Sequence, residues 1–246
     1  MKLPDFIIIG VQKCGTTSLF HYLRQHPDIN LPEEKEIHFF DKFYHKGINW
    51  YLEKFPEDGM LTGEATPYYI YHPHVAARMA VCCPKVKLIV MLRDPADRAY
   101  SQFVMEKQRK NEPLETFEEA IAAEPDRIIH EKKMLEQDPG YRSVPHQRYS
   151  YLERGKYDQQ IGMWLQFFSL ENFYFIRSED FFNDPERILH SVFDFLGLRH
   201  VKIPDLSPLR QNQYPRMKTE TRLRLKRYFS SGNRKLADLI GQQFNW

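Results

Sequence analysis

The sequence predicts an α/β fold with three layers, α/β/α, in which helices cover both faces of a central parallel sheet. Four short apolar segments alternate with longer segments of helical periodicity, and this alternation is typical of β-α-β crossovers. The strand candidates are apolar at consecutive positions, as strands buried on both faces are. The 246 residues, 42% of them hydrophobic, can form one core, so we expect a single domain spanning 1–246.

The elements follow from these patterns along the chain. The strand candidates are residues 6–9, a short segment near 60–63, 87–92 and 173–177. Helical patterns cover roughly 16–26, 73–82, 96–110, 114–123, 156–168, 185–196, 217–229 and 232–241. In parallel sheets of this kind, ligands bind beyond the carboxyl ends of the strands. The loops after the first, third and last strands are therefore candidate binding loops.

Composition and charge argue against several functions. A net charge of +2 disfavours a wide nucleic-acid-binding face but allows a basic pocket for a small anion. The first apolar stretch, 6–9, does not resemble a signal peptide and no apolar run could cross a bilayer. We therefore expect a cytoplasmic protein or a soluble catalytic fragment, with no membrane span. Cys14, Cys82 and Cys83 lack metal-ligand spacing, and we expect reduced thiols and no bound metal.

The segment FIIIGVQKCGTTSLF, residues 6–20, is close to the phosphate-binding pattern G-x-x-x-x-G-K-[ST]. Gly10 and Gly15 allow backbone N–H groups to surround an anion. Hydroxyl groups follow at a helix N-terminus, where the helix dipole favours negative charge, on Thr16, Thr17 and Ser18. The alternative is an ordinary strand-to-helix turn. We predict a P-loop-like anion site.

The loop departs from that pattern in its charged residues. Thr16 stands where the phosphate-binding lysine belongs, and Lys13 lies inside the loop instead. Asp94, the one acid directly after an apolar strand, is placed between Arg93 and Pro95, so we find no convincing acid to hold Mg²⁺. A phosphate-like loop without this metal apparatus suits transfer of a sulfonyl group, which carries less charge than a phosphoryl group. Lys13 is then placed to stabilise the leaving oxygen.

A second motif, LRDPADRAYSQF, follows the third strand candidate. Arg93 ends the strand, and Ser101 lies eight residues further on, in the first turns of the next helix. If the chain turns back at Asp94-Pro95, the guanidinium and the hydroxyl converge on one phosphate. The alternative is that Arg93 pairs with Asp94 or Asp97 and holds the loop.

These two motifs resemble the 5′-phosphosulfate and 3′-phosphate motifs of sulfotransferases that use 3′-phosphoadenosine 5′-phosphosulfate (PAPS). The resemblance spans nearly the whole chain and is strongest to the glycan branch of that family, the heparan-sulfate N- and 3-O-sulfotransferase domains. The further matching segments are EKEIHFFD (34–41), YHKGINWYLEKFP (44–56), GEATPYY (63–69), RGKYDQQIGMWLQFF (154–168), FLGL (195–198) and GNRKLADLIGQQFNW (232–246).

The resemblance implies a sulfotransferase that moves the sulfonyl group of PAPS by in-line attack to a hydroxyl, or with less support an amine, of a glycan or small-molecule acceptor. The implied ligands of the nucleotide are Lys13, Cys14, Gly15, Thr16, Thr17, Ser18, Arg93 and Ser101. The carboxylate that resembles the catalytic base is Glu36, with His38 and Asp41 beside it. Glu64 is the rival base, because it is equally expected at the end of a strand.

Two departures from the relatives concern the site. Where they read Glu-Lys, this chain reads Glu-Ala at 64–65, and Lys35 is the candidate replacement for the lysine. Where they carry a Lys-Gly-Arg-x-His-Pro loop over the nucleotide, this chain reads RQNQYP at 210–215, which makes Arg210 and Tyr214 the candidate ligands. The C-terminal disulfide of the relatives is absent, which fits a reducing compartment.

Two other functions stay open. One is a P-loop kinase of small metabolites, which the missing metal acid disfavours, and the other is a non-catalytic nucleotide-binding module. As acceptor, a neutral saccharide or hydroxylated natural product is favoured over a long polyanionic chain, because no extended basic cleft is evident in the sequence.

Overall fold

The computed structural model describes residues 2–207, 209 and 215–246. The chain divides into two compact units. The first comprises Met1–Leu92 and Leu165–Gln211, and the second comprises Arg93–Trp164 and Asn212–Trp246. The assignment of all 246 residues to one domain stays a prediction.

The first unit is built on a four-stranded parallel sheet with the order β2-β1-β3-β4. The strands are β1 (Phe6–Gly10), β2 (Gly63–Ala65), β3 (Lys87–Leu92) and β4 (Phe173–Arg177). Every residue of β1 and β2 is buried. The consecutive apolar positions of β1 thus reflect burial on both faces of the sheet.

The predicted strand near 60–63 is displaced in the structure. Leu61 instead forms an isolated bridge with Ile29, and pairing with β1 begins at Gly63, opposite Phe6. A Cβ on Gly63 would lie 2.4 Å from the carbonyl oxygen of Phe6, so only glycine allows this close approach. A glycine at this position therefore permits the close pairing with β1.

Helices alternate with the strands along the chain, as the sequence predicted. In chain order they are α1 (Thr16–Leu23), α2 (Gly47–Leu52), α3 (Val75–Cys82), α4 (Pro95–Gln108), α5 (Phe117–Gln137), α6 (Val144–Tyr149), α7 (Tyr157–Trp164), α8 (Ser178–Asn183), α9 (Pro185–Leu196) and α10 (Thr219–Ile240). A short π-helical segment spans Phe39–Phe43. No described helix is long and apolar enough to cross a membrane.

Two helices are longer than predicted. Helix α5 continues past Pro125 to Gln137, and its start is fixed by a capping box between Thr116 and Glu119. Helix α10 joins the two predicted helices 217–229 and 232–241, because buried residues continue along one face through the expected break. Tertiary burial outweighs the weak helix propensity of the Ser-Ser-Gly segment.

The second unit has a core of its own. Its buried residues come from α4, α5 and α10 and from the segments before α7 and α10: Ala96, Ala99, Phe103, Phe117, Ala120, Ile121, Tyr151, Met217, Leu225 and Phe229. Arg98 is fully buried beside this cluster and donates to Gln102 Oε1 at 2.8 Å and to the carbonyl of Tyr151. These hydrogen bonds stabilise the guanidinium charge, whose burial would otherwise be unfavourable in free energy.

Candidate active site

The loop after β1 is a tight turn that leads directly into α1. The amide of Val11 donates to the carbonyl of Met91 in β3 at 2.9 Å, which ties the start of the loop to the sheet. Lys13 and Gly15 then adopt positive φ angles of 74° and 97°. Helix α1 begins at Thr16 without a side-chain cap at Gly15. The predicted strand, glycine loop and helix are therefore present.

Packing requires a glycine at position 10, and backbone conformation requires one at position 15. A Cβ on Gly10 would lie 2.4 Å from Cγ2 of Ile70, and a Cβ on Gly15 would lie 2.9 Å from Cζ of Phe182. The positive φ of Gly15 adds a strain that other residues rarely tolerate. The spacing of the motif thus has a structural cause that does not depend on a ligand.

The hydroxyl groups at the start of α1 differ in exposure. Thr16 and Ser18 are 4% and 1% exposed, whereas Thr17 is half-buried. The hydroxyl oxygen of Ser18 accepts from the amide of Leu209 at 3.2 Å. The assignment of all three residues to the nucleotide stays a prediction, and the structure shows that Ser18 also has a contact within the protein.

Ser178 supports the loop from the end of β4 and was not among the predicted site residues. Its hydroxyl donates to the carbonyl of Cys14, and its side chain is buried. The signal that could have identified it is its place directly after a strand, where parallel sheets present functional groups. Ser178 therefore helps to fix the backbone of the loop.

Glu36, His38 and Asp41 form a continuous chain of side chains in the first unit. Nδ1 of His38 lies 2.8 Å from Oδ2 of Asp41, and Nε2 lies 3.4 Å from Oε2 of Glu36. Nζ of Lys35 lies 3.0 Å from the other oxygen of Glu36. The side chain of Glu36 is 47% exposed, against 13% for His38 and 0% for Asp41. This chain of side chains thus runs from solvent into the core.

This arrangement shifts the ionisation of its members in opposite directions. Burial by itself raises the pKa of Glu36, but the hydrogen bond from His38 and the ammonium group of Lys35 outweigh it and bring the pKa to about 2. Burial by itself lowers the pKa of His38, but Asp41 and Glu36 outweigh it and raise the pKa to about 9. At neutral pH, Glu36 is therefore ionised and His38 is protonated.

Glu64, the rival base, is enclosed by hydroxyl groups in the core. It is 0% exposed and accepts hydrogen bonds from Tyr51 at 2.7 Å, Thr66 at 2.6 Å and Tyr69 at 2.9 Å. Burial raises its pKa to about 7, and the three hydrogen bonds oppose that shift. A carboxylate without exposed surface cannot meet an acceptor hydroxyl unless the surrounding side chains move. The two glutamates thus have different surroundings, and the assignment of the base to Glu36, which the motif resemblance favoured, stays a prediction.

Lys35 does lie beside the candidate base, as its proposed replacement role requires. Its ammonium group contacts Glu36, and its carbonyl accepts from the amide of Ala65 at 3.3 Å. The second contact joins residue 35 to Ala65 at the end of β2. Its role toward a substrate stays a prediction.

The motif after β3 lies in the second unit. Asp94 caps α4 by accepting from the amides of Ala96 and Asp97 at 2.8 and 3.3 Å, so this acid has a helix-capping role. Asp97 pairs with Arg222. The carbonyl of Arg93 accepts from the hydroxyl of Tyr157 at 3.0 Å. The Asp-Pro step is thus a helix start that Asp94 stabilises.

The other predicted ligands have different outcomes. Arg93 is half-buried and Ser101, on α4, is 5% exposed. Their convergence on one phosphate stays a prediction. Arg210 and Tyr214 lie outside the described residues. Within the part of the chain that is described, no group of three or more histidine, cysteine or acidic side chains is arranged to hold a metal ion.

Comparison with known proteins decides the family. The protein-family model described as the sulfotransferase domain matches residues 3–235 of this chain. This chain belongs to the sulfotransferase family. It is 31% identical over 313 residues to the membrane-associated sulfotransferase kil1 of Dictyostelium discoideum, covering 99% of this chain and 66% of that protein. It is 29% identical over 271 residues to mouse heparan sulfate glucosamine 3-O-sulfotransferase 3A1, covering 100% of this chain and 65% of that protein.

The fold of this sulfotransferase agrees with a solved structure. A sulfotransferase from Alicyclobacillus acidocaldarius superposes with a TM-score of 0.81 at 30% identity, covering 99% of this chain and 98% of that one. The predicted α/β fold, the sulfotransferase family and the resemblance to heparan-sulfate sulfotransferases are thereby confirmed. The chain spans slightly less than two thirds of the length of the curated relatives named above.

Proposed function

We propose that this sulfotransferase transfers the sulfonyl group of PAPS to a hydroxyl group of a saccharide or hydroxylated small molecule. The observation that carries the proposal is the ionised, half-exposed carboxylate of Glu36 at the outer end of the chain formed with His38 and Asp41. A carboxylate held in this way can accept the proton of an attacking hydroxyl. Family membership supports the reaction type.

The proposed reaction is a single in-line displacement. The acceptor oxygen forms a bond to sulfur while the bond from sulfur to the 5′-phosphate oxygen breaks, and 3′-phosphoadenosine 5′-phosphate (PAP) leaves with the bonding electron pair. The acceptor's proton passes to Glu36. Because a carboxylate with a pKa of about 2 is a weak base, this proton transfer must accompany formation of the O–S bond.

The loop 10–18 is proposed to hold the phosphosulfate group. Its backbone N–H groups and the N-terminus of α1 favour an anion there. Lys13, in the left-handed conformation at the centre of the loop, is proposed to stabilise the leaving oxygen as negative charge develops on it. On the sequence resemblance, Arg93 and Ser101 are proposed to bind the 3′-phosphate, and Arg210 and Tyr214 to contact the nucleotide.

The acceptor class is proposed from charge and from the relatives. Several relatives are heparan sulfate sulfotransferases by name, which supports a saccharide hydroxyl as acceptor. The net charge of +2 is small for a protein that binds a long polyanion, so we propose a neutral saccharide or a hydroxylated natural product. We also propose a cytoplasmic location, which fractionation of the cells that make the protein tests.

An acceptor screen with labelled PAPS and mass-spectrometric detection tests the function. We expect one or more hydroxylated acceptors to gain the mass of a sulfonyl group, with stoichiometric release of PAP. Activity should survive a chelator, whereas a kinase would require Mg²⁺. Tight PAP binding without turnover across a broad panel would instead support the non-catalytic module, and absence of PAP binding would refute the nucleotide assignment.

A further inference from the structure

Glu64 accepts hydrogen bonds from three side chains, and each of these side chains also contacts the turn that carries His38. Thr66 Oγ1 accepts from the amide of His38 at 3.4 Å. The ring of Tyr51 stacks on Phe39 with centroids 4.5 Å apart and planes 11° apart. The hydroxyl of Tyr69 accepts from the amide of Phe40 at 3.4 Å. These contacts reach three consecutive residues of the turn, 38 to 40.

The turn needs support from outside its own sequence. His38 has a φ of 55°, in the left-handed region that residues with a Cβ seldom adopt. The π-helical segment that follows, Phe39–Phe43, is a geometry that chains rarely form. Oδ1 of Asp41 is buried and has no hydrogen-bond partner among the described residues. Each feature disfavours the turn by itself, so tertiary contacts must hold it.

Glu64 is placed to organise those contacts. It sits in β2, opposite Ile7 of β1, and has no exposed surface. Its carboxylate fixes the hydroxyl hydrogens of Thr66 and Tyr69, which leaves the oxygen lone pairs of these groups directed at the amides of the turn. A rigid strand thus determines where the imidazole of His38 lies.

We propose that Glu64 is a positioning residue, which fixes the His38–Asp41 turn through the hydroxyl groups of Thr66 and Tyr69 and the ring of Tyr51. The inference rests on the proposed function, in which the carboxylate of Glu36 contacts the acceptor and His38 orients that carboxylate. It assigns Glu64 a role without proton transfer to or from the acceptor.

The first test removes the linking hydroxyl groups and keeps Glu64. Thr66→Val and Tyr69→Phe each remove one oxygen with little change of shape. We expect each to lower kcat by about 10-fold to 10²-fold, the scale on which small misplacements of reacting groups act. PAP affinity, measured by calorimetry, should not change. Tyr149→Phe is the control, since its hydroxyl donates to the carbonyl of Asn111 at 2.9 Å in the other unit.

The second readout is the titration of His38 by NMR, with its signals assigned by their absence in His38→Ala. In the folded Thr66→Val and Tyr69→Phe proteins we expect the pKa of His38 to fall from about 9 toward its ordinary value of 6.5, because the contacts with Asp41 and Glu36 loosen. Lys42, whose positive charge lowers the pKa of His38, is unchanged in these variants. In Tyr149→Phe the titration should match the wild type.

Substitutions of Glu64 itself separate positioning from base catalysis. An amide oxygen still accepts from hydroxyl groups, so Glu64→Gln should retain more turnover than Glu64→Leu. Loss of all turnover in Glu64→Gln, with normal kcat in Thr66→Val and Tyr69→Phe, would make Glu64 the base and overturn the inference. If the variant proteins melt at lower temperatures but the pKa of His38 does not change, Glu64 contributes only to the stability of the core. The titration needs no turnover, so it decides the inference even if no acceptor is sulfated.

Discussion

Nδ1 of His38 lies 2.8 Å from Oδ2 of Asp41, whose side chain has no exposed surface. The buried carboxylate fixes the orientation of the imidazole and favours its protonated form. The opposite ring nitrogen therefore presents an N–H group toward Glu36. This relationship makes the ionisation of Glu36 depend on residues deeper in the core.

Substitution of Glu36 tests the proposed base. Glu36→Gln keeps the shape of the side chain but removes a strong proton acceptor, so we expect turnover to fall by about 10²–10⁴-fold. PAP affinity, measured by calorimetry, should stay within about twofold of the wild type, because the loop 10–18 is untouched. Glu64→Gln, assayed in parallel, should be milder. If Glu64→Gln lowers turnover more than Glu36→Gln does, the base must be assigned to Glu64.

Loss of the imidazole should change the pH dependence of turnover. The hydrogen bond from His38 lowers the pKa of Glu36, so His38→Ala should raise that pKa from about 2 toward its ordinary 4.5. Glu36 would then accept a proton at higher pH, and the acid limb of the pH–rate profile should move upward. In the wild type, a second decline is expected near pH 9, where His38 loses its proton. An acid limb at the same pH in both proteins would contradict the coupling.

The lysine in the loop is expected to act in the transition state. Lys13→Ala should lower kcat by much more than it weakens PAP binding, because charge on the leaving oxygen develops fully only as the S–O bond breaks. Single-turnover kinetics and calorimetry on the same preparation measure the two losses. Equal losses would mean that Lys13 only binds the nucleotide.

The motif after β3 is expected to contribute to nucleotide affinity. Arg93→Ala should weaken PAP binding by about 2–4 kcal/mol, the range for removing one partner of a buried charge pair. Ser101→Ala should cost less, because a neutral hydroxyl forms weaker hydrogen bonds to phosphate than a guanidinium does. Calorimetry on both variants measures which substitution weakens PAP binding more. Unchanged affinity in Arg93→Ala would remove the 3′-phosphate assignment.

The buried carboxyl group of Glu64 should make stability depend on pH. Burial raises its pKa to about 7 in the folded protein, against 4.5 for an exposed group. Its contribution is therefore fully present below pH 4.5 and is lost as pH rises through 7, because the unfolded chain releases the proton first. The difference in unfolding free energy between wild type and Glu64→Gln should fall by on the order of 3 kcal/mol across this interval. Urea titrations at several pH values measure it, and a difference that does not vary with pH would contradict the raised pKa.

Much of the fold followed from local patterns. The apolar runs at 6–9 and 87–92 became β1 and β3 with nearly the predicted bounds, since a strand buried on both faces has a distinctive composition. Where burial competed with local propensity, sequence reasoning failed. Helices were predicted at 114–123, 217–229 and 232–241, whereas in the structure α5 continues past Pro125 and α10 continues through the Ser-Ser-Gly segment.

The sequence by itself determined the glycine loop and the placement of Glu36, His38 and Asp41 in one short segment, because these features are encoded by residues close together in the chain. Only the tertiary structure distinguished the surroundings of the two glutamates, Glu36 and Glu64. Glu64 is enclosed by Tyr51, Thr66 and Tyr69, whereas Glu36 is half-exposed. Exposure and ionisation depend on side chains that folding brings together from distant positions, and no local pattern records them.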